Sequence, residues 1–146
     1  MLSMITGLLA LAVAYMLTAG IAKSSAGNAR MQEIAGYIHE GAMAFLYREY
    51  KYLAVFIVVV AVLISAFLHV STAICFVSGA IFSILTGYFG MIAATKANVR
   101  TAEAARGGIA PALKIAFSGG AVMGLGVVGL GVIGLSACYF IFDQNI

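Results

Sequence analysis

Chemistry in this chain is limited by where its thirteen charged side chains, eight basic and five acidic, stand among 146 residues. The acids are Glu33, Glu40, Glu49, Glu103 and Asp143. A proton or sodium carrier needs a carboxylate at membrane depth, and a divalent-cation site needs closely repeated carboxylates. Neither spacing occurs, because each acid lies in a polar connection or at the end of an apolar run. Lys96, Arg100 and Arg106 offer anion attraction, since arginine matches phosphate geometry, or else they only mark topology. Gly124-Leu-Gly126-Val-Val-Gly129 spells the dinucleotide fingerprint. That motif works as a turn between a strand and a helix, with an acid about 20 positions later; here it lies inside an apolar run and is not assigned nucleotide binding. No phosphate loop with a lysine occurs. His69 reads as a wet loop residue, with a ligand or proton-relay role as its alternative. Cys75 and Cys138 sit in apolar runs and read as buried free thiols, too few for a disulfide framework.

The elements that position these residues are set by composition. Hydrophobic residues make up 64% and charged residues 9%, against about 25% charged in a soluble domain, and mean hydropathy is +1.11. A water-soluble monomer is excluded. Crossing ~30 Å of hydrocarbon takes roughly 20 helical residues, and four runs are long enough or nearly so: residues 2–22, 53–68, 73–95 and 115–142. The whole chain, 1–146, is therefore expected to be one polytopic all-α membrane unit with connections at 23–52 and 96–114. A signal peptide at the N-terminus fits poorly, because its charge should precede the apolar core and Lys23 follows it.

Within the 23–52 connection, Met31, Ile34, Ala35 and Ile38 recur at helical spacing, which predicts an interfacial helix running into the second span. Phe45, Tyr47, Tyr50 and Tyr52 form an aromatic belt, with Arg48 and Lys51 placed to snorkel toward water. No formal charge occurs from Leu53 to Thr95, so the chain must turn, and His69, Ser71 and Thr72 are the polar cluster for it. In the third run Gly79, Ser83 and Gly87 fall four apart, stripping one face of bulk so that a helix can approach closely. The fourth run carries seven glycines, among them Gly120, Gly124 and Gly131; Gly119/Gly126 and Gly124/Gly131 share faces. Gly79, Ser83, Gly87, Gly120, Gly124 and Gly131 are the expected helix-packing positions.

Four spans with short loops put the first and third connections on one side of the membrane. Lys23, Arg30, Arg48 and Lys51 belong to the first, and Lys96, Arg100, Arg106 and Lys114 to the third, so all eight basic residues share a face. The positive-inside rule makes that face cytoplasmic and both ends external. The net charge of +3 does not imply nucleic acid, because membrane spans separate the basic residues. These features alone yield a four-span packing unit and no reaction; a small stand-alone four-helix transporter or membrane assembly protein is the alternative to the reading that follows.

Three passages carry a resemblance: Gly41-Ala-Met-Ala-Phe-Leu-Tyr-Arg48-Glu-Tyr-Lys51; Gly87-Tyr-Phe-Gly90-Met91 through Ala94-Thr-Lys-Ala-Asn-Val-Arg-Thr-Ala102; and Pro111-Ala-Leu-Lys114 with Gly119-Gly-Ala-Val-Met-Gly124. Together they resemble the membrane-integral pyrophosphatases, pumps that couple pyrophosphate hydrolysis to H⁺ or Na⁺ export. The resemblance implies that the chain is the N-terminal four-span part of a larger, roughly sixteen-span helical bundle in a bacterial or archaeal cell membrane. It implies outer scaffold helices whose partners are the remaining helices and lipid, and a parent pump that is a homodimer. Mg²⁺, and K⁺ in some pumps, would serve the full-length parent. The family's aspartate-rich sites and ion gate match nothing here, so no catalytic, cofactor or metal residue is assigned, and the chain alone is expected to be inactive.

Overall fold

A computed structural model describes residues 2–142 and shows four long α-helices: α1 Leu2–Lys23, α2 Ala29–Phe67, α3 Val70–Ala104 and α4 Ile109–Phe142. Asp143, expected at the outer end, lies outside the described residues. Each of the four is long and apolar enough to cross a membrane.

Local chemistry explains the breaks. At the start of α2 the Asn28 side chain accepts from the Met31 amide at 3.0 Å, satisfying one of the donors a helix start leaves free, and Gly27 before it takes φ +77°. The α2–α3 turn is only Leu68 and His69; Ser71 and Thr72 already belong to the first turn of α3. After α3 a single 3₁₀ turn, Ala105–Gly107, leads into Gly108 at φ +119°, a left-handed conformation open to glycine. Pro111 then sits in the first turn of α4, where its missing N–H has no bond to lose.

Both polar connections expected from the sequence are mostly helix. Residues 29–52 are continuous with the second apolar run, so α2 is 39 residues long, about 58 Å. Residues 96–104 prolong α3, and residues 109–114 begin α4. The reason is chemical: these stretches contain alanine, methionine, glutamate, lysine and arginine, all good helix formers, and the breaks in the two connections fall at Gly27-Asn28 and Gly107-Gly108.

Paired contacts show neighbouring helices running antiparallel: Phe82 against Gly134 and Ala97 against Gly119 for α3 and α4, and Gly7 against Gly129 for α1 and α4. In space the order is α2, α3, α4, α1, with α1 leaning slightly on α3 and α2 touching α3 alone. The core is small, centred on Ile21, Ala93, Ala97 and Val122 with Leu17 and Ile115 against it. Large side chains such as Val58, Val62, Phe67 and Leu135 stay exposed, as suits helices that face lipid or other helices rather than water.

Candidate helix-docking groove and basic face

The small residues sort into two sets by what surrounds them. Gly7, Gly90, Gly119, Gly129 and Gly134 are buried. A β-carbon on Gly7 would stand 2.7 Å from Ile133 Cγ1 and 2.9 Å from the Gly129 carbonyl, one on Gly119 2.9 Å from Ala97 Cβ, and one on Gly134 2.7 Å from the Phe82 ring. Those distances let neighbouring backbones approach as only glycine permits.

The positions singled out by spacing form the other set. Gly79, Ser83, Gly120, Gly124 and Gly131 are exposed and Gly87 half-buried. A β-carbon on Gly79, Gly120, Gly124 or Gly131 would meet nothing within 4 Å, and one on Gly87 would meet only the Tyr50 hydroxyl, at 3.2 Å. Gly79, Ser83, Gly87 and Gly131 line one groove of about 550 Å³ between α3 and α4. Gly120 lines a second of about 350 Å³ further along the same pair, with Thr95, Asn98 and Thr101. The first is walled mainly by apolar groups such as Phe82, Leu130 and Leu135. At its far end the Ser78 hydroxyl donates to the Cys75 carbonyl at 2.8 Å and lies 3.5 Å from Cys138 Sγ. Both cysteines are free and half-buried.

Polar cross-links between helices, invisible in sequence because their partners are far apart, fix the register. Ser136 donates to the Ser3 hydroxyl at 2.8 Å, tying α4 to α1. His39 Nδ1 lies 3.2 Å from Thr95 Oγ1, and the Tyr50 hydroxyl donates to the Ile84 carbonyl at 2.9 Å, both joining α2 to α3. Arg48 and Lys51, exposed on either side of Tyr50, therefore stand level with the middle of α3, and the Lys51 ammonium lies 4.3 Å from the Tyr47 ring centre.

The basic face is occupied with structure rather than gathered into a pocket. Arg100 Nε donates to the Ser24 carbonyl at 3.1 Å and its Nη1 to the Lys96 carbonyl at 2.9 Å, so this side chain clamps the α1–α2 connection onto α3. Arg106 pairs with Glu103 at 3.5 Å and Arg30 with Glu33 at 2.8 Å. Lys96 and Lys114 are exposed. Among the described residues no three His, Cys, Asp or Glu side chains are grouped as metal ligands.

The family model for inorganic H⁺ pyrophosphatase matches residues 8–146. A protein of Clostridium tetani, the putative K⁺-stimulated pyrophosphate-energized sodium pump, is 64% identical over 144 residues, which is 99% of this chain and 21% of that protein. The K⁺-insensitive pyrophosphate-energized proton pump of Methanosarcina mazei is 46% identical over 94% of this chain and 21% of its own length. The K⁺-stimulated pyrophosphate-energized sodium pump of Thermotoga maritima is 43% identical over 86% of this chain and 18% of its own. The chain thus spans about a fifth of the length of these relatives.

Proposed function

Because the chain belongs to the inorganic H⁺ pyrophosphatase family, we propose that it is the N-terminal four-helix scaffold of a pyrophosphate-energised pump and supports chemistry done by other helices. It is an integral, multi-pass, all-helical membrane protein and one part of a larger helical bundle. The observation that carries the proposal is one of proportion: similarity covers 99% of this chain but only 21% of the sodium-pump relative.

Among the described residues the donor set does not suit the Mg²⁺ that pyrophosphate chemistry implies. Glu33 and Glu103 are taken by arginines, and Glu40 and Glu49 stand exposed and apart, whereas Mg²⁺ with phosphate asks for one or two convergent carboxylates. No step is assigned to this chain through that ion. Its proposed partners are the remaining helices of the same pump and lipid, with the assembled pump a homodimer.

Six of the eight basic residues, Lys23, Arg30, Lys96, Arg100, Arg106 and Lys114, lie toward the end of the layer where α1 meets α2 and α3 meets α4, which supports placing that end in the cytoplasm. A reporter fused after Thr72 should read external and one after Gly107 cytoplasmic; the reverse pattern overturns the orientation.

Activity is the deciding test. Purified alone and given Mg²⁺ and pyrophosphate, the chain should release no phosphate; co-produced with the missing helices, it should restore hydrolysis. Turnover by the isolated chain would sink the scaffold reading.

A further inference from the structure

We propose that Cys75 and Cys138 are a dithiol pair that closes into a reversible disulfide, stapling α3 to α4 at the end opposite the basic connections. The staple is a property of these two helices and needs no other part of a pump.

Three residues build the site. Cys75 and Ser78 stand about one turn apart on α3, and Cys138 faces them from α4. A hydroxyl has one proton to give, and Ser78 gives its own to the Cys75 carbonyl at 2.8 Å. At the 3.5 Å contact with Cys138 Sγ the thiol is therefore the donor and Ser78 Oγ the acceptor. That bond holds Cys138 Sγ beside the turn of α3 on which Cys75 sits, and the two cysteine side chains interact directly. Both are free and half-buried. The sequence has only these two cysteines, so each is the other's sole partner within the chain.

Position lets a reagent arrive. Cys75 follows Val70, the first residue of α3, by about 8 Å along the helix, and Cys138 precedes Phe142 in α4 by about 6 Å. Both line the groove of about 550 Å³, where Gly79 and Gly131 leave space beside them. The lining also selects the product. It is mainly apolar and contains no lysine or arginine to balance a thiolate. A disulfide leaves no charge there, whereas two thiolates around a monovalent soft cation leave one negative charge in apolar surroundings. On the orientation proposed above this end is external, where disulfides persist; the chemistry of the purified chain does not depend on that orientation.

The oxidant is a small-molecule disulfide of the glutathione type. One cysteine, as its thiolate, attacks a sulfur of the reagent, whose S–S bond breaks and releases one glutathione thiol. The second cysteine attacks the protein sulfur of the mixed disulfide and releases the other. The protein loses two hydrogens and the two glutathione thiols carry them away. Because residues 105–108 already join α3 to α4 at their other ends, the new bond closes the hairpin into a ring and opposes separation of the helices.

The test equilibrates the reduced, detergent-solubilised chain with glutathione disulfide. Intact mass should fall by two hydrogens, both maleimide-reactive thiols should disappear, and a peptide map should place the bond between Cys75 and Cys138 in a monomer. The unfolding midpoint should rise by at least about 5 °C, and dithiothreitol should reverse every change. Cys75→Ser and Cys138→Ser should each stop at one bound glutathione, without the rise. Two surviving thiols, or two bound glutathiones on the unsubstituted chain, would overturn the proposal. So would a disulfide-linked dimer, which would make the partner thiol that of a second copy, or an unchanged midpoint, which would mean that the bond staples nothing.

Discussion

Gly129 and Gly131 lie two residues apart on α4, about 200° around the helix, and their surroundings are opposite. Gly129 is buried against α1, with the Gly7 carbonyl 3.0 Å and Leu11 side-chain atoms 3.0 Å from where its β-carbon would be. Gly131 is exposed and has nothing within 4 Å. In a helix in water either glycine costs roughly 1 kcal/mol relative to alanine. At Gly129 that cost is offset inside the chain by backbone approach and the packing it brings. At Gly131 no offset exists among the described residues, which is the physical ground for looking beyond them.

The comparison breaks most easily at the closed seam. Gly7→Leu should force α1 off α4, because even a β-carbon meets Ile133 and the Gly129 backbone inside 3 Å. Overpacking of this kind costs about 1–3 kcal/mol or more, visible as a lowered midpoint when the detergent-solubilised chain is unfolded. An unchanged midpoint would mean that α1 does not pack through this glycine.

A smaller loss is expected at the clamp. Arg100→Ala removes donors to the Ser24 and Lys96 carbonyls, charge-assisted bonds whose half-exposed setting limits their contribution to about 1 kcal/mol. Proteolysis should then cut the connection between α1 and α2 several-fold faster, with the helical content retained. Arg100→Lys should rescue little, since a single ammonium does not reproduce the fork that spans both carbonyls.

Closer to zero stands the open groove. Gly131→Ala and Gly79→Ala should leave the isolated chain as stable as before or raise its stability by up to about 1 kcal/mol through helix propensity. A loss there comparable to that at Gly7 would erase the distinction between the two faces. As a check on register, mild oxidation by added copper(II) phenanthroline should join Cys75 to Cys138, since the Ser78 hydroxyl both bonds the Cys75 carbonyl and lies 3.5 Å from Cys138 Sγ, and Ser78→Ala should not prevent it. No mobility change on a non-reducing gel would show that the ends of α3 and α4 lie further apart.

Much of the architecture was legible before any coordinates. Four apolar runs made four crossing helices, because backbone polar groups in hydrocarbon leave few alternatives. Helix ends were less legible: the spacing from Met31 to Ile38 gave a helix running into the second span, but residues 96–104 read as a connection, although their residue types favour helix and nothing in them breaks it. The chain's short punctuation, Gly27-Asn28, Leu68-His69 and Gly107-Gly108, marks the true breaks. Arg100 showed in sequence only as a charge with an open choice between anion and topology; its two carbonyl partners sit at Ser24, far back in the chain, and one turn away at Lys96, and only the first requires the fold.

By itself the sequence determined the solvent this chain lives in, the number of helices, the confinement of its cations to two stretches of chain, and which glycines lie on a common helix face, because hydropathy, charge and a 3.6-residue repeat are properties of the chain read locally. Only the tertiary structure decided which of those faces is filled and which is open. Spacing aligns Gly124 with Gly131 and Gly119 with Gly126, but what stands opposite each face depends on residues tens to more than a hundred positions away, brought there by packing that no local pattern encodes.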